Sequence, residues 1–159
     1  IQIDGITVHG RADRIDRKED GSLAVVDYKT GAPPSARQVE NGFALQLGLL
    51  ALMAEHGGFP GIGGKASGFE YWSLGSRKGS EGFGYMVEPV LEGSKKTGIK
   101  REAFVAETEV YLREAIARWI LGHEPFTARL NPDLAVYSDY DQLMRLDEWQ
   151  GRAARAEQT

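Results

Sequence analysis

The sequence contains no cysteine. Disulfides, thiol catalysis, cysteine-ligated zinc and iron–sulfur clusters are therefore excluded, and the absence fits a reducing, cytoplasmic setting. There is no apolar run near the roughly 18 residues that span a bilayer, and no signal-peptide pattern at the start, so no membrane partner is expected. A basic excess is lacking too. The 19 Lys and Arg against 23 Asp and Glu leave a formal charge of −4, so any contact with nucleic acid must be local. With only three histidines, nothing resembles a Ser-His-Asp site. The glycine-rich run from Gly57 to Gly64 lacks the Lys-Ser/Thr ending of a phosphate loop, which excludes a bound nucleotide there. No helicase motor is present, so any energy-driven unwinding belongs to other segments or a partner chain.

What remains is 159 residues, of which 42% are hydrophobic and 26% charged, enough to build one core without staples. Ile1 to Ile3, the turn Asp4-Gly5 and a long strand from Ile6 read as a hairpin, with Gly10 as a bulge where the pleat changes phase. Asp20-Gly21 turns the chain again into Leu23-Ala24-Val25-Val26, an apolar run of the kind found in buried central strands, giving three antiparallel strands by Tyr28. Thr30 to Ser35, with Pro33 and Pro34, is a loop. A helix from Ala36 to about His56, apolar on almost every side, belongs inside the protein. Ser67 to Leu74 and Phe83 to Val87 read as two further strands. Arg101 to Leu121 is an amphipathic helix with Tyr111/Leu112, Ala115/Ile116 and Trp119/Ile120 on its apolar face and Gly122 as cap. A short helical pattern follows from Tyr140 to Trp149. The fold class is α/β: a mixed central sheet flanked by helices.

Two segments pair an acid with a lysine two residues later, Asp16-Arg17-Lys18 and Asp27-Tyr28-Lys29. The first adjoins a turn, where charges are solvated. The second ends an apolar strand, and period two puts Asp27 and Lys29 on one face with Tyr28 on the other. Residues equally spaced about Asp20 face each other across the hairpin, so Asp13 falls opposite Asp27, with Cα atoms about 4.5–5.5 Å apart. Two carboxylates so placed repel, and a cation would compensate. Oxygen ligands without cysteine suit Mg²⁺ or Mn²⁺, which point to phosphodiester cleavage with Lys29 orienting water or neutralising charge. The competing interpretation is a surface hairpin in which Asp13, Asp27 and Lys29 merely form ion pairs. His9 shares the face of Asp13 if the strand is unbroken, as a metal neighbour or, more simply, as a strand-surface histidine.

These segments resemble the RecB-type nuclease domain of the PD-(D/E)xK superfamily. Gly10-Arg11-Ala12-Asp13-Arg14-Ile15-Asp16 matches its first acidic motif, Asp27-Tyr28-Lys29-Thr30-Gly31 its second, and Gln46-Leu47-Gly48-Leu49-Leu50-Ala51 its third. The tail, in Phe126 to Leu130 and Asp139 to Trp149, resembles the end of the AddB subunit of AddAB helicase-nucleases. The resemblance implies a restriction-endonuclease-like core over residues 1–130 and a packed tail over 131–159. It implies Asp13, Asp27 and the Tyr28 carbonyl as metal ligands, Lys29 as catalytic lysine, and Gln46 near the centre; a buried amide satisfied by backbone groups is the alternative for Gln46.

Three departures stand out. Leu50 replaces the tyrosine that usually ends the third motif. Ala135, Ser138 and Met144 fall where many relatives carry cluster-binding cysteines, leaving Tyr137, Tyr140, Leu143 and Trp149 to hold the tail. No helix with the family's upstream glutamate or histidine precedes Ile1, so the chain is expected to be a piece of something longer. The implied function is Mg²⁺-dependent exonuclease action on single-stranded DNA ends fed by a helicase partner during double-strand-break repair. A catalytically weak or inactive DNA-binding module is one rival; a nuclease of CRISPR spacer acquisition is another, disfavoured because it too normally carries a cysteine-bound cluster. Lys95, Lys96, Lys100 and Arg101, in the densest basic segment, are candidates for phosphate contacts, against a plain solvated loop.

Overall fold

Two tight turns organise the start of the chain in the computed structural model, which describes residues 1–76, 79 and 82–125. Strands β1 (Gln2–Ile3) and β2 (Ile6–Thr7) pair antiparallel around Asp4-Gly5. Both turn residues have positive φ, 48° and 80°, the primed geometry that matches strand twist. The expected long second strand is not continuous. β2 stops at Thr7, and β3 (Arg14–Arg17) opens a different sheet. Gly10 is therefore not a bulge; a Cβ there would lie 3.4 Å from Met53 Sδ and 3.6 Å from Leu50, so side-chain contact replaces the ladder. The three-stranded antiparallel unit becomes two separate pairings, and His9 no longer shares a strand with Asp13.

The second turn behaves as expected. Gly21 takes φ 82°, and the Asp20 carboxylate accepts from the Ser22 amide and hydroxyl. The hairpin pairs Arg14 with Val26, Ile15 with Val25, Asp16 with Ala24 and Arg17 with Leu23, the register centred on Asp20. β4 (Leu23–Lys29) lies between β3 and β5 (Ala66–Ser73), antiparallel to the first and parallel to the second, while β6 (Tyr85–Val87) completes the sheet against β5. This is a mixed sheet in an α/β fold. Burial on both sides explains the unbroken apolar run: Leu23 through Val26 are at most 4% exposed.

The parallel β4–β5 pair needs a crossover, and helices supply it. The single helix expected from Ala36 to His56 is two, α1 (Ala36–Glu40) and α2 (Gln46–Glu55). Ser35 and Gln38 form a capping box at the start of α1. Gly42, at φ 78°, ends it, and the Tyr111 hydroxyl donates to the Glu40 carbonyl beside the break. The apolar periodicity carried no sign of this interruption, although Asn41-Gly42 is a local stop signal; the Tyr111 contact adds to it from a distant helix. α2 is buried on most of its surface. Its Gly48 meets α3 (Phe104–Ala115) so closely that a Cβ would fall 2.8 Å from Thr108 Cβ.

α3 follows a 3₁₀ turn, Arg101–Ala103, and continues as a π turn, Ile116–Ile120, so the expected helical stretch is present in three geometries. Its buried contacts are Phe104, Thr108 and Ile116, whereas Ile120 is exposed, so the apolar face lies further toward the N-terminus than the fourfold repeat indicated. Gly122 does not take the left-handed cap conformation; it is small because a Cβ would crowd the Ala117 and Arg118 carbonyls. Residues Ile1–Gly122 form one compact unit. The expectations for Phe126–Leu130 and for the tail, including Tyr137, Tyr140, Leu143 and Trp149, lie outside the described residues. No described helix is long and apolar enough to cross a membrane.

Candidate active site

Leu23 and Val25 point into the core shared with α2, and period two carries Asp27 to the same face. The carboxylate therefore ends up inside, on a residue only 3% exposed, because the four preceding residues, Leu23 to Val26, commit the strand to burial. Tyr28 points the other way and is 38% exposed; its ring meets Trp72 edge-on at 5.9 Å, beneath the Arg14 guanidinium, which sits 4.9 Å from the Trp72 ring.

A buried carboxylate must be paired or it will neutralise. Asp27 is paired twice. Gln46, the first residue of α2, donates from Nε2 to Asp27 Oδ1 at 2.6 Å, and Lys29 Nζ lies 2.7 Å from Asp27 Oδ2. Lys29 Nζ also donates to Gln46 Oε1 at 2.8 Å, which closes a three-membered ring. The Gln46 amide thus uses its donor on the acid and its acceptor on the base. Gln46 makes these contacts to side chains, not to backbone.

Asp13 precedes β3, and its Oδ2 accepts from the Tyr28 backbone amide at 3.2 Å. The hairpin register, continued by one residue, puts Asp13 level with Asp27. Asp13 is exposed and Asp27 buried, so the two acids differ in solvation as well as in partners. Asp13 also lines an open groove of about 350 Å³ with Gly10, Arg11, Phe59 and Ile62.

The chemistry of this donor set fits a hard divalent cation. Asp27 Oδ2 is fully buried and, despite the ammonium 2.7 Å away, meets no donor in hydrogen-bond alignment, which leaves it lone-pair capacity. Among the described residues no three His, Asp or Glu side chains converge into a preformed cage. Magnesium needs none, since it keeps several waters and takes one or two carboxylates. Asp13, Asp27 and the Tyr28 carbonyl are the groups available to hold it.

The basic segment is placed differently. Arg101 donates to both Glu88 oxygens at 2.8 Å, to Glu92 and to the Ser67 carbonyl, and Lys95 donates to the Glu88 and Val90 carbonyls. Guanidinium hydrogen bonds hold Glu88 below the usual carboxylate range. Ser67 lies four residues before Tyr71 on β5, about 13 Å along the strand, so this cluster occupies the end of the sheet away from Asp27. Lys96 and Lys100 are exposed. Leu50, at the position where a tyrosine was expected, is packed in the core.

One neighbour of Asp27 was not foreseen. Tyr71 sits beside it in the parallel register, fully buried, with a hydroxyl that has no hydrogen-bond partner. The alternation Phe69, Tyr71, Ser73 marks the inward face of β5, but nothing local says that this face lies beside Asp27. That adjacency comes from the crossover alone.

No curated protein and no solved structure matched the chain. A family model matches residues 1–137, the span that holds the hairpin, both acids, the lysine and the Gln46 helix. The chain belongs to the PD-(D/E)XK nuclease superfamily.

Proposed function

We propose that this chain is a Mg²⁺-dependent deoxyribonuclease domain, an exonuclease that trims DNA ends in double-strand-break repair as the nuclease part of an AddAB-type helicase–nuclease. The observation that carries this is the Asp27–Lys29–Gln46 ring, in which a buried acid, a primary amine and an amide are in mutual contact at the end of a central strand. A stability function alone would not select it, since buried ion pairs are often no better than apolar substitutes.

Asp13, Asp27 and the Tyr28 carbonyl would hold Mg²⁺ or Mn²⁺, whose contribution is to polarise the scissile phosphate and acidify a bound water. The remaining work falls to the chain. Gln46 fixes the Asp27 carboxylate through Oδ1, while Oδ2 faces the Lys29 ammonium without an aligned hydrogen bond. Lys29, with a side chain 28% exposed, keeps its ammonium within reach of solvent and of a phosphate, where it can orient water or neutralise growing charge. Burial of Asp27 strengthens the contacts its own carboxylate makes, whereas Gln46 and Lys29 reach solvent. Contacts to the DNA backbone would fall to Lys96 and Lys100 rather than to Lys95 and Arg101, which are engaged within the fold. The motif resemblance supports a helicase partner, and the lack of cysteine is compatible with a cytoplasmic location.

A second reading, a nuclease-fold module that binds DNA without cutting it, is favoured by the same ring: Lys29 is already committed to Asp27 and Gln46. Labelled single-stranded DNA incubated with Mg²⁺ or Mn²⁺ separates the two. Cleavage by the wild type that vanishes in Asp27→Ala and Lys29→Ala supports the enzyme; binding without cleavage supports the module; cleavage surviving both substitutions overturns the site.

A further inference from the structure

Tyr71 heads the large side chains that are fully buried in the core. A core tyrosine ordinarily finds a partner for its hydroxyl, yet this one has none. An unsatisfied buried hydroxyl is destabilising, and phenylalanine would fill the same space without the polar atom. Stability therefore does not account for the residue.

Its surroundings do. β4 and β5 run parallel with Asp27 level with Tyr71, so both side chains leave the sheet on the face that carries α2. The Lys29 ammonium lies 5.4 Å from the centre of the Tyr71 ring. A phenol is an O–H donor, and Asp27 stands beside this one on the neighbouring strand. Among the described side chains, Asp27 Oδ2 is the other buried polar atom without an aligned partner. One site therefore contains a donor lacking an acceptor and, beside it, a carboxylate oxygen with unused capacity. A solvent oxygen between them satisfies both, as buried waters commonly do for paired orphans.

We propose that Tyr71 is a positioning residue for a divalent cation at Asp27: its hydroxyl donates to a water that the cation brings, and so holds that water against the carboxylate. This rests on the cation site proposed above. It suits a hard cation that retains its hydration shell, because such an ion brings to the carboxylate a water that the buried hydroxyl can hold. Hydrogen bonds of this outer kind orient ligands, and removing one typically weakens metal affinity 10- to 100-fold.

The test uses the full chain without DNA. Mn²⁺ binding is measured by calorimetric titration for the wild type, Tyr71→Phe and Asp27→Asn, with melting temperatures of the metal-free proteins alongside. The expected result is an affinity about 10-fold weaker in Tyr71→Phe, with a metal-free melting temperature equal to or above that of the wild type, and loss of binding in Asp27→Asn. Wild-type affinity in Tyr71→Phe, together with loss in Asp27→Asn, overturns the role of Tyr71 and leaves the cation site standing. A lowered melting temperature in metal-free Tyr71→Phe marks the hydroxyl as structural and overturns the proposal as well. Undiminished binding in Asp27→Asn overturns the cation site and this inference with it.

Discussion

Two acid–base clusters sit at opposite ends of the same pair of strands, and they are built on different principles. At one end Arg101 places its planar fork on Glu88, reaches Glu92, and spends a further donor on the Ser67 carbonyl. Each charged partner there has its geometry matched. At the other end Asp27 is more deeply buried than either of those glutamates, yet it faces a lysine, a point charge that leaves Oδ2 without an aligned hydrogen bond. The first arrangement closes an irregular segment onto the sheet. The second leaves a deeply buried carboxylate oxygen without an aligned donor, which is the arrangement the proposed cation site would use. Opposite charges in contact do not identify function; unsatisfied capacity under burial does.

Exchanging the two bases breaks the comparison most sharply. Lys29→Arg would let a fork grip Asp27 through both oxygens and displace Gln46, so nuclease activity is expected to fall on the order of 100-fold, about 2.7 kcal/mol in barrier, with little loss in urea stability. Arg101→Lys should do the reverse. It forfeits the two-pronged contact to Glu88 and costs about 2 kcal/mol in denaturant unfolding, while the cleavage rate per folded molecule stays at the wild-type value. Gln46→Ala loosens Asp27 and Lys29 together; single-turnover cleavage should drop roughly 10-fold, or about 1.4 kcal/mol. An undiminished rate would reduce Gln46 to a space-filling role.

The smallest effect is in acid. Glu88 is held below its ordinary value of 4.5, so its contribution is complete above that pH and is lost as pH falls from there toward the depressed value. A pH series of urea melts should therefore fall off less steeply below about pH 4.5 for Glu88→Gln than for the wild type, by at most about 1.4 kcal/mol per pH unit. Parallel curves would mean that Glu88 carries no linked proton.

Much of the site was legible because its parts are local. Asp20-Gly21 sets a turn, the turn sets the register, and the register puts Asp13 level with Asp27. Period two then separates Tyr28 from Asp27 and Lys29. The break between α1 and α2 is hidden by the apolar periodicity, and Asn41-Gly42 is its one local sign; the closure of Tyr111 on the Glu40 carbonyl comes from the fold. The basic segment was legible only in part: Lys96 and Lys100 are exposed as a run of cations suggests, but the glutamates that engage Arg101 are brought to it by the fold.

The sequence by itself determined where the hairpin turns, which strand is buried on both faces, and that an acid and an amine end that strand on one side. Those are consequences of backbone dihedrals and of alternation, which act over a few residues. Only the tertiary structure decided that Gln46 would bridge the acid and the amine, that Tyr71 would stand beside Asp27, and that Arg101 would be held by two glutamates. Each depends on a crossover or a helix packing that joins segments far apart in the chain, and such contacts are selected by the burial of the whole core rather than by any short stretch of it.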